Sequence, residues 1–216
     1  MKYALVTYHP YDRSFNAAIV QEVRDAATRS QASVDWIDLA QLDFNPVMST
    51  RELYEFSQGN TSRGVREENL DPVAVSLARR INECDHLFLV FPIWWELMPA
   101  PIKGFIDKVV FPEIFYTYRS EFSMKMVSQT LKQVTIITTM NTPRILYRLV
   151  FGDAIKRALV YGTFKKVGIR KVRWIGYSRV KAVGKSKREK ILKEVAGLVL
   201  PGRSISAKDQ EWSVLV

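Results

Sequence analysis

Residues 86–100 read HLFLVFPIWWELMPA, and this stretch decides the fold. Its first six residues, His86 to Phe91, form an almost unbroken apolar run of strand length. Such runs are typical of parallel strands that are covered on both faces. Pro92 then ends the run, so the stretch predicts a buried central strand followed by a loop.

The loop after this strand, residues 93–99 (the Trp loop), is unusually apolar for a surface connection. It contains Trp94, Trp95 and Met98, and a surface segment with that much apolar area usually packs against a flat ligand or surface. Ligands of open α/β sheets bind beyond the carboxyl ends of the strands, which is where this loop lies. The loop therefore predicts a binding site; the alternative is that both rings are core or dimer contacts.

Length and composition indicate one globular domain. The chain has 216 residues, 47% of them hydrophobic and 25% charged, and we expect residues 1–200 to form a single domain followed by a C-terminal tail, 201–216. The single cysteine, Cys84, excludes an internal disulfide, and the chain has no zinc-type spacing. We therefore expect a cytoplasmic protein with no metal site. In addition, no apolar run approaches the roughly 18 residues that a membrane span needs, so we expect no membrane span.

The net charge of +10 is local. Residues 156–193 contain 14 Lys and Arg but one acidic residue, Glu189. One interpretation is a surface for nucleic acid or membrane, since such fields bind phosphate-rich polymers. No nucleic-acid motif accompanies the charge, so we favour a solvated positive face that steers an anionic cosubstrate, and we expect no nucleic-acid partner.

The first loop predicts a phosphate site. Lys2 to Tyr8 has strand composition, and Ser14 to Ser30 has helical spacing with Ser14 as the N-cap. The amides of Phe15, Asn16 and Ala17 would point back at the strand end, where His9 adds a donor. Because the loop has no glycine, neither a P-loop nor a dinucleotide fingerprint fits, and a flavin phosphate is favoured. Alternatively, Ser14 is only a helix cap and His9 only a turn residue.

The other elements alternate between strand and helix. Further strands are predicted at residues 33–39, 133–139 and 171–175, and helices at 72–83, 100–110, 144–161 and 185–200. Residues 40–71 (the second loop) are predicted to be mostly irregular and to serve a site or wrap a partner; the alternative is a mobile excursion. This alternation predicts an α/β fold: a doubly wound, five-stranded parallel sheet with helices on both faces.

Two further segments carry site candidates. Residues 111–118 contain four aromatic side chains without helical period, which predicts a protein interface or a pocket wall. Residues 138–143, from Thr138 to Pro143 (the Thr loop), form a polar loop at the end of a strand. In the strand order 2-1-3-4-5 the first loop, the Trp loop and the Thr loop converge at one edge, an arrangement that suits a flavin.

These motifs together resemble a known family. They are His9-Pro10 followed by Ser14-Phe15-Asn16, the run from Phe91 to Val109, the aromatic segment 111–118, and Thr138-Thr139. The combination is similar to the NAD(P)H:quinone oxidoreductases, flavoproteins with a flavodoxin-like fold, over about residues 2–180. The resemblance implies a homodimeric enzyme that takes hydride from NAD(P)H onto a flavin and passes two electrons to a quinone or similar small-molecule acceptor by a ping-pong mechanism.

The resemblance also assigns roles to residues of this chain. It implies that His9, Ser14, Phe15 and Asn16 hold the phosphate, and that Pro92, Ile93, Trp94 and Trp95 line the isoalloxazine. It implies that Thr138, Thr139, Met140 and Asn141 meet the polar edge of the flavin. Tyr116 and Tyr118 match tyrosines that close the substrate pocket of the opposite subunit. The long second loop resembles FAD-binding members, so FAD is expected, with FMN as the alternative.

The chain departs from the family pattern in the Thr loop. Met140-Asn141 stands where members have glycines, and Tyr147 is one position from the family's tyrosine with no histidine after it. We therefore expect Tyr147, Arg144 or Arg148 to compensate the charge of the reduced flavin. Alternative functions are a broad reductase of nitro or azo compounds, and a non-catalytic regulatory or binding module that uses the basic residues 156–193.

Overall fold

The computed structural model describes residues 1–120 and 123–200. The strands are β1 (Lys2–Thr7), β2 (Ser33–Asp38), β3 (His86–Pro92), β4 (Tyr116–Ser120), β5 (Ser123–Met126), β6 (Gln133–Thr139) and β7 (Lys171–Tyr177). The α-helices are α1 (Phe15–Arg29), α2 (Thr50–Gln58), α3 (Pro72–Asn82), α4 (Ala100–Val109), α5 (Arg144–Leu149) and α6 (Lys185–Val199). A short 3₁₀ helix covers Glu67–Asn69, and a π-helix covers Lys156–Lys165.

The main sheet confirms the predicted topology. Five strands pair in the order β2-β1-β3-β6-β7, and all four pairings are parallel. In the numbering of the five predicted strands this is 2-1-3-4-5. Because every strand runs the same way, the loops that follow β1, β3 and β6 emerge at one edge.

The core consists of one apolar layer on each face of the sheet. On one face α1 and α6 pack through Ile19, Val23 and Val195, and on the other α3, α4 and the π-helix bury a larger cluster that includes Phe105 and Phe164. All seven residues of β3 are buried, as the apolar run predicted. Within the described ranges no helix is long and apolar enough to cross a bilayer.

The second loop, residues 40–71, is mostly irregular as predicted, but the prediction missed α2, because this helix buries acidic instead of apolar side chains. Ser49 and Glu52 form a capping box that begins α2, a signal that the sequence does contain. The buried face of α2 carries Glu52 and Glu55, so an apolar period is missing. Glu55 bonds both nitrogens of the Arg63 guanidinium at 2.8 Å, which keeps the carboxylate charged inside.

Two further expectations need correction. The predicted helix 144–161 is divided, because Gly152 and Asp153 adopt positive φ angles of 64° and 53° that end α5 before the π-helix begins. Residues 111–118 were predicted to form an interface or a pocket wall, but Phe111 and Phe115 are buried in this chain's own core, next to the antiparallel pair of β4 and β5. The predicted tail, 201–216, lies outside the described residues.

Candidate functional site

Three loops are joined at the carboxyl edge of the sheet. Asn16 Nδ2, in the first turn of α1, donates to Thr139 Oγ1 at 2.8 Å, and the Ile93 amide donates to the Thr139 carbonyl at 2.8 Å. The ring centroids of His9 and Trp94 lie 6.2 Å apart with the rings edge to face. The first loop, the Trp loop and the Thr loop therefore form one site, as the topology predicts.

The N-terminus of α1 offers amides to an anion. Ser14 is the N-cap, and its Oγ accepts from the Ala17 amide at 3.2 Å. The amides of Phe15 and Asn16 come before that bond and have no acceptor within the helix. The first turn contains no acidic residue. These features suit a phosphate held by backbone amides and the helix dipole.

His9 is held in one tautomer. Its Nδ1 accepts from the Tyr11 amide at 3.0 Å, so the ring proton of the neutral form lies on Nε2. Burial lowers the pKa of His9 below its ordinary value, which keeps the ring neutral near pH 7. His9 therefore presents an uncharged N–H donor beside the first turn of α1.

Asn16 holds one buried polar atom without a partner. Its Nδ2 is bonded to Thr139, but Oδ1 is buried and has no hydrogen-bond partner among the described residues. A buried amide oxygen that stays unpaired costs free energy, so such atoms usually mark a missing partner. Asn16 Oδ1 is thus an acceptor available to a ligand at the point where two of the loops meet.

The Trp loop turns through a strained pair of residues. Trp94 and Leu97 exchange backbone hydrogen bonds of 2.9 and 3.0 Å, and between them Trp95 and Glu96 have φ angles of 49° and 63°. Both values lie in the left-handed region, which costs a bulky L-residue about 1 kcal/mol or more. Trp95 is 98% exposed at the tip of this turn. The strained backbone and the exposure together indicate that the Trp95 side chain contacts a ligand or another protein molecule.

Pro92 and Ile93 form the floor below that turn. Pro92 is buried at the end of β3 and is paired in register with Thr139 of β6, while Ile93 is half-buried against the larger core cluster. Trp94 is 40% exposed and contacts Tyr8 as well as His9. The predicted isoalloxazine wall therefore consists of one fixed aromatic ring, Trp94, and one free ring, Trp95.

The Thr loop accommodates a methionine where glycine was expected. Met140 is buried, and Gly176 of β7 leaves the space it needs: a Cβ at Gly176 would stand 3.0 Å from Met140 Cε. The Met140 backbone bonds both Tyr177 and Val180, so the loop is tied to the strand beside it. Asn141 is exposed and its Oδ1 accepts from the Lys181 amide at 3.3 Å. The methionine side chain packs into the core, and the backbone amide and carbonyl of Met140 are already hydrogen-bonded within the chain.

The three residues expected to compensate flavin charge lie in different environments. Tyr147 is fully buried; its hydroxyl donates to the Glu96 carbonyl at 2.9 Å and accepts from the Ile155 amide, and burial raises its pKa to about 12. Arg144 pairs with Asp153, while Arg148 is exposed. Tyr147 thus supports the Trp loop from below, and a catalytic part for any of the three remains a prediction.

The two tyrosines predicted to close a substrate pocket stand together on β4. Their hydroxyls are 3.3 Å apart, Tyr116 is buried and Tyr118 is half-buried, and burial raises the pKa of Tyr116. Among residues 1–120 and 123–200, no hydrogen bond or ring contact joins either tyrosine to the Trp loop or the Thr loop. Within one chain, this pair therefore makes no such contact with the two loops expected to line the flavin.

The predicted phosphate site lies in a cavity that has a wall the sequence did not indicate, since His9, Ser14 and Asn16 are among the lining residues. This space of about 480 Å³ lies between the end of β1, the first turns of α1, and β2. Trp36 forms this wall and is 42% exposed; its Nε1 donates to Thr7 Oγ1, and the Arg24 guanidinium lies 4.4 Å from its ring. An arginine twelve residues before a tryptophan gives no local signal, so only the packing of α1 on β2 reveals this wall.

The family model described as flavodoxin-like fold matches residues 1–198. The chain belongs to this family. The sequence is 26% identical over 174 residues to a Haemophilus influenzae protein named as an NAD(P)H oxidoreductase, covering 80% of this chain and 81% of that one. It is 26% identical over 144 residues to NAD(P)H dehydrogenase [quinone] 1 of Cavia porcellus, covering 62% of this chain and 52% of that one.

A solved structure extends the likeness in fold. The FMN-dependent NADH-azoreductase of Bacillus anthracis, in complex with FMN, superposes with a TM-score of 0.71 at 13% identity, over 92% of this chain and 97% of that one. The predicted family relationship and the predicted class, an oxidoreductase, are confirmed by these comparisons. The chain spans about half the length of the guinea pig enzyme, so activity, substrates and partners are proposals for this chain.

Proposed function

We propose that this protein is a flavin-dependent NAD(P)H oxidoreductase that reduces quinones or similar small acceptors by two electrons in a ping-pong cycle. The observation that carries the proposal is the junction of the three loops through the Asn16–Thr139 and Ile93–Thr139 hydrogen bonds. The candidate phosphate donors and the aromatic wall then lie around one opening at the carboxyl edge of the sheet (the mouth), between the first loop, the Trp loop and the Thr loop. The names of the oxidoreductase relatives support the proposal.

The donor set of the site fits a flavin nucleotide. Ser14, the amides of Phe15 and Asn16, and neutral His9 Nε2 match the acceptor oxygens of a phosphate. Asn16 Oδ1, buried without a partner in the described chain, suits a donor on the bound group. Residues 1–200 would form one flavin-binding domain.

The residues at this mouth bind, orient and exclude water. When bound, a flavin supplies the hydride chemistry, accepting two electrons from NAD(P)H and giving them to the acceptor. Trp94, held by His9 and Tyr8, covers one side of the mouth and keeps water from it. Tyr147 fixes the Trp loop through the Glu96 carbonyl, so it positions this wall without facing the mouth.

We favour FMN over FAD. The expectation of FAD depends on the second loop, yet the described hydrogen bonds from residues 40–71 to other segments lead to β2, α3, α4 and Glu113, and none reaches residues 8–16. The azoreductase of similar fold holds FMN. Release of the cofactor by denaturation, followed by its mass, distinguishes the two.

We also propose that the enzyme is a cytoplasmic homodimer in which β4–β5 of one copy closes the mouth of the other. The fully exposed Trp95 supports this arrangement, as does the lack of a described hydrogen bond or ring contact between the Tyr116–Tyr118 pair and the Trp loop or Thr loop of its own chain. A ring that is exposed in the monomer gains the burial it lacks when a partner covers it. Sedimentation at several concentrations tests it, since a monomer at all of them would contradict the proposal.

The proposed function is tested by charge at the phosphate site. Ser14→Asp keeps an N-cap side chain but sets a carboxylate against the phosphate, so FMN affinity should fall about tenfold or more. Gly184→Asp is the matched control, because it adds the same charge at the N-cap of α6, where a new side chain meets nothing within 4 Å. Flavin fluorescence titration and NAD(P)H oxidation with a quinone report both variants. Equal affinities for Ser14→Asp and the control, or a chain that takes up no flavin, would refute the proposal.

Reduction of azo compounds is the second candidate, since the azoreductase of B. anthracis shares the fold. An open flavin face discriminates weakly between flat acceptors. Parallel kcat/KM values for a quinone and an azo dye decide which acceptor the enzyme prefers.

A further inference from the structure

A second cavity lies along the free edge of β7. It has a volume of about 660 Å³ and is bounded by β7, the π-helix and α5. The cavity is separated from the Trp loop by α5, whose Tyr147 bonds that loop while Arg144 and Arg148 line the cavity. This site is therefore distinct from the mouth described above.

The cavity gathers positive charge. Its cationic residues are Arg144, Arg148, Lys156, Lys165, Arg170, Lys171 and Arg173, and its one acidic residue is Asp153. Arg144 forms an ion pair with Asp153, but within the described ranges the other six make no ion pair. The only other ion pairs there lie in residues 1–120, where cations such as Arg63, Arg80 and Lys108 are paired with carboxylates. Unpaired cations also occur elsewhere on the described surface, for example Arg51, Lys125 and Lys185, but the cavity gathers six of them around one concave space.

A solvated positive face does not account for this arrangement. Like charges that converge on a concave surface repel each other more strongly than charges spread over a convex one, because the protein walls exclude water. Arg173 is only partly exposed, and burial lowers its pKa, so its charge is maintained at a cost. An anion in the cavity would remove both penalties.

The side chains specify the chemistry of that anion. Guanidinium groups bind phosphate oxygens with paired hydrogen bonds, and ammonium groups add point charges. Tyr161 also lines the cavity and is 52% exposed, with Lys165 Nζ 4.9 Å from its ring centre, so one aromatic face is available for stacking. The volume lies within the range of small-molecule sites.

We propose that this cavity, with six unpaired cations and an exposed tyrosine ring, binds a nucleotide through its phosphate groups. Two sources share that chemistry: the phosphate end of an NADP-type cosubstrate, or an independent nucleotide such as ATP. Arg144 and Trp174 connect the cavity to the Thr loop, since the Arg144 guanidinium lies 4.6 Å from the Trp174 ring and Trp174 Nε1 donates to Thr138 Oγ1 at 2.9 Å. A nucleotide that engages Arg144 would therefore act on the loop predicted to meet the flavin.

Isothermal titration of the full chain with ATP and with NADP⁺ in about 0.15 M salt, where diffuse surface attraction is screened, tests the proposal. We expect saturable binding of one equivalent of at least one of them. The variant Arg170→Gln/Lys171→Gln should weaken that binding about tenfold or more, because it removes two exposed cavity cations without altering the core. The control Lys190→Gln/Lys193→Gln removes the same charge from exposed positions of α6 outside the cavity and should change binding less than about twofold.

The arms of the experiment separate the sources. Binding of NADP⁺ but not ATP assigns the cavity to the cosubstrate, and binding of ATP assigns it to an independent nucleotide. No saturable binding of either probe, equal losses in the two double variants, or retention of duplex DNA without binding of the small probes would overturn the proposal. Because titration needs no flavin, a chain that fails the test of oxidoreductase function can still pass this one.

Discussion

The hydrogen bond between Asn16 Nδ2 and Thr139 Oγ1 fastens α1 to the Thr loop, and a double-mutant cycle measures what it contributes. The two residues are 5% and 3% exposed and the bond is 2.8 Å long. Thr139→Val keeps the shape but leaves Asn16 Nδ2 buried without an acceptor, which should lower the free energy of unfolding by about 1 to 3 kcal/mol. Asn16→Ala leaves the Thr139 hydroxyl without this donor and should lower it by about 1 to 2 kcal/mol.

The double variant decides whether the bond exists. Since both single changes break the same interaction, the combined loss should be smaller than the sum by about 1 kcal/mol. Thr139→Ser keeps the hydroxyl and serves as the control, with most of the coupling retained. Urea unfolding of the flavin-free chain gives all four free energies. Losses that add to within about 0.3 kcal/mol would refute the inference that α1 and the Thr loop are joined in this way.

The same variants test the unpaired oxygen of Asn16. Asn16→Ala removes Oδ1 as well as Nδ2, whereas Thr139→Val leaves Oδ1 in place. FMN affinity should therefore fall further in Asn16→Ala, by about tenfold relative to Thr139→Val. Equal FMN affinities in fluorescence titrations would show that this oxygen does not face the cofactor.

Three other predictions concern the second loop and the Trp loop. The Arg63 guanidinium lowers the pKa of Glu55 from 4.5 to about 2, so the stability that this carboxylate provides is present above pH 4.5 and is lost as pH falls toward 2. Glu55→Gln should therefore flatten the pH dependence of the free energy of unfolding between pH 4.5 and 2. An unchanged slope would contradict the pairing. Gly104→Ala would place a Cβ 2.3 Å from the Pro46 carbonyl oxygen in the second loop and should lower the free energy of unfolding by about 2 kcal/mol or more. The control Gly184→Ala adds a Cβ with no atom within 4 Å and should lower it far less, as thermal unfolding would show. Trp95→Asn should leave the free energy of unfolding equal or higher, because asparagine tolerates the left-handed backbone, and should lower kcat/KM for the acceptor. Lower stability with unchanged turnover would show that the ring serves the fold alone.

How much of the site the sequence predicts depends on how local each signal is. The Ser14 cap and the aromatic Trp loop each lie within one segment, so neighbouring residues alone are enough to predict them. The division of the predicted helix at Gly152 was also readable, because glycine marks such breaks. By contrast, Met140 fits only because Gly176, on another strand, leaves room for it.

The amino-acid sequence by itself determined the five sheet strands, the main helices between them and the fully buried β3, because the apolar period is a local property of the chain; the rules for connecting parallel strands then place the three loops at one edge. The tertiary structure alone decided which polar atoms are paired. It set Glu55 against Arg63, left Asn16 Oδ1 without a partner in the described chain, and gathered the cations of residues 144–173 around one cavity. Burial and pairing are properties of atoms brought together from distant segments, and no spacing along the chain encodes them.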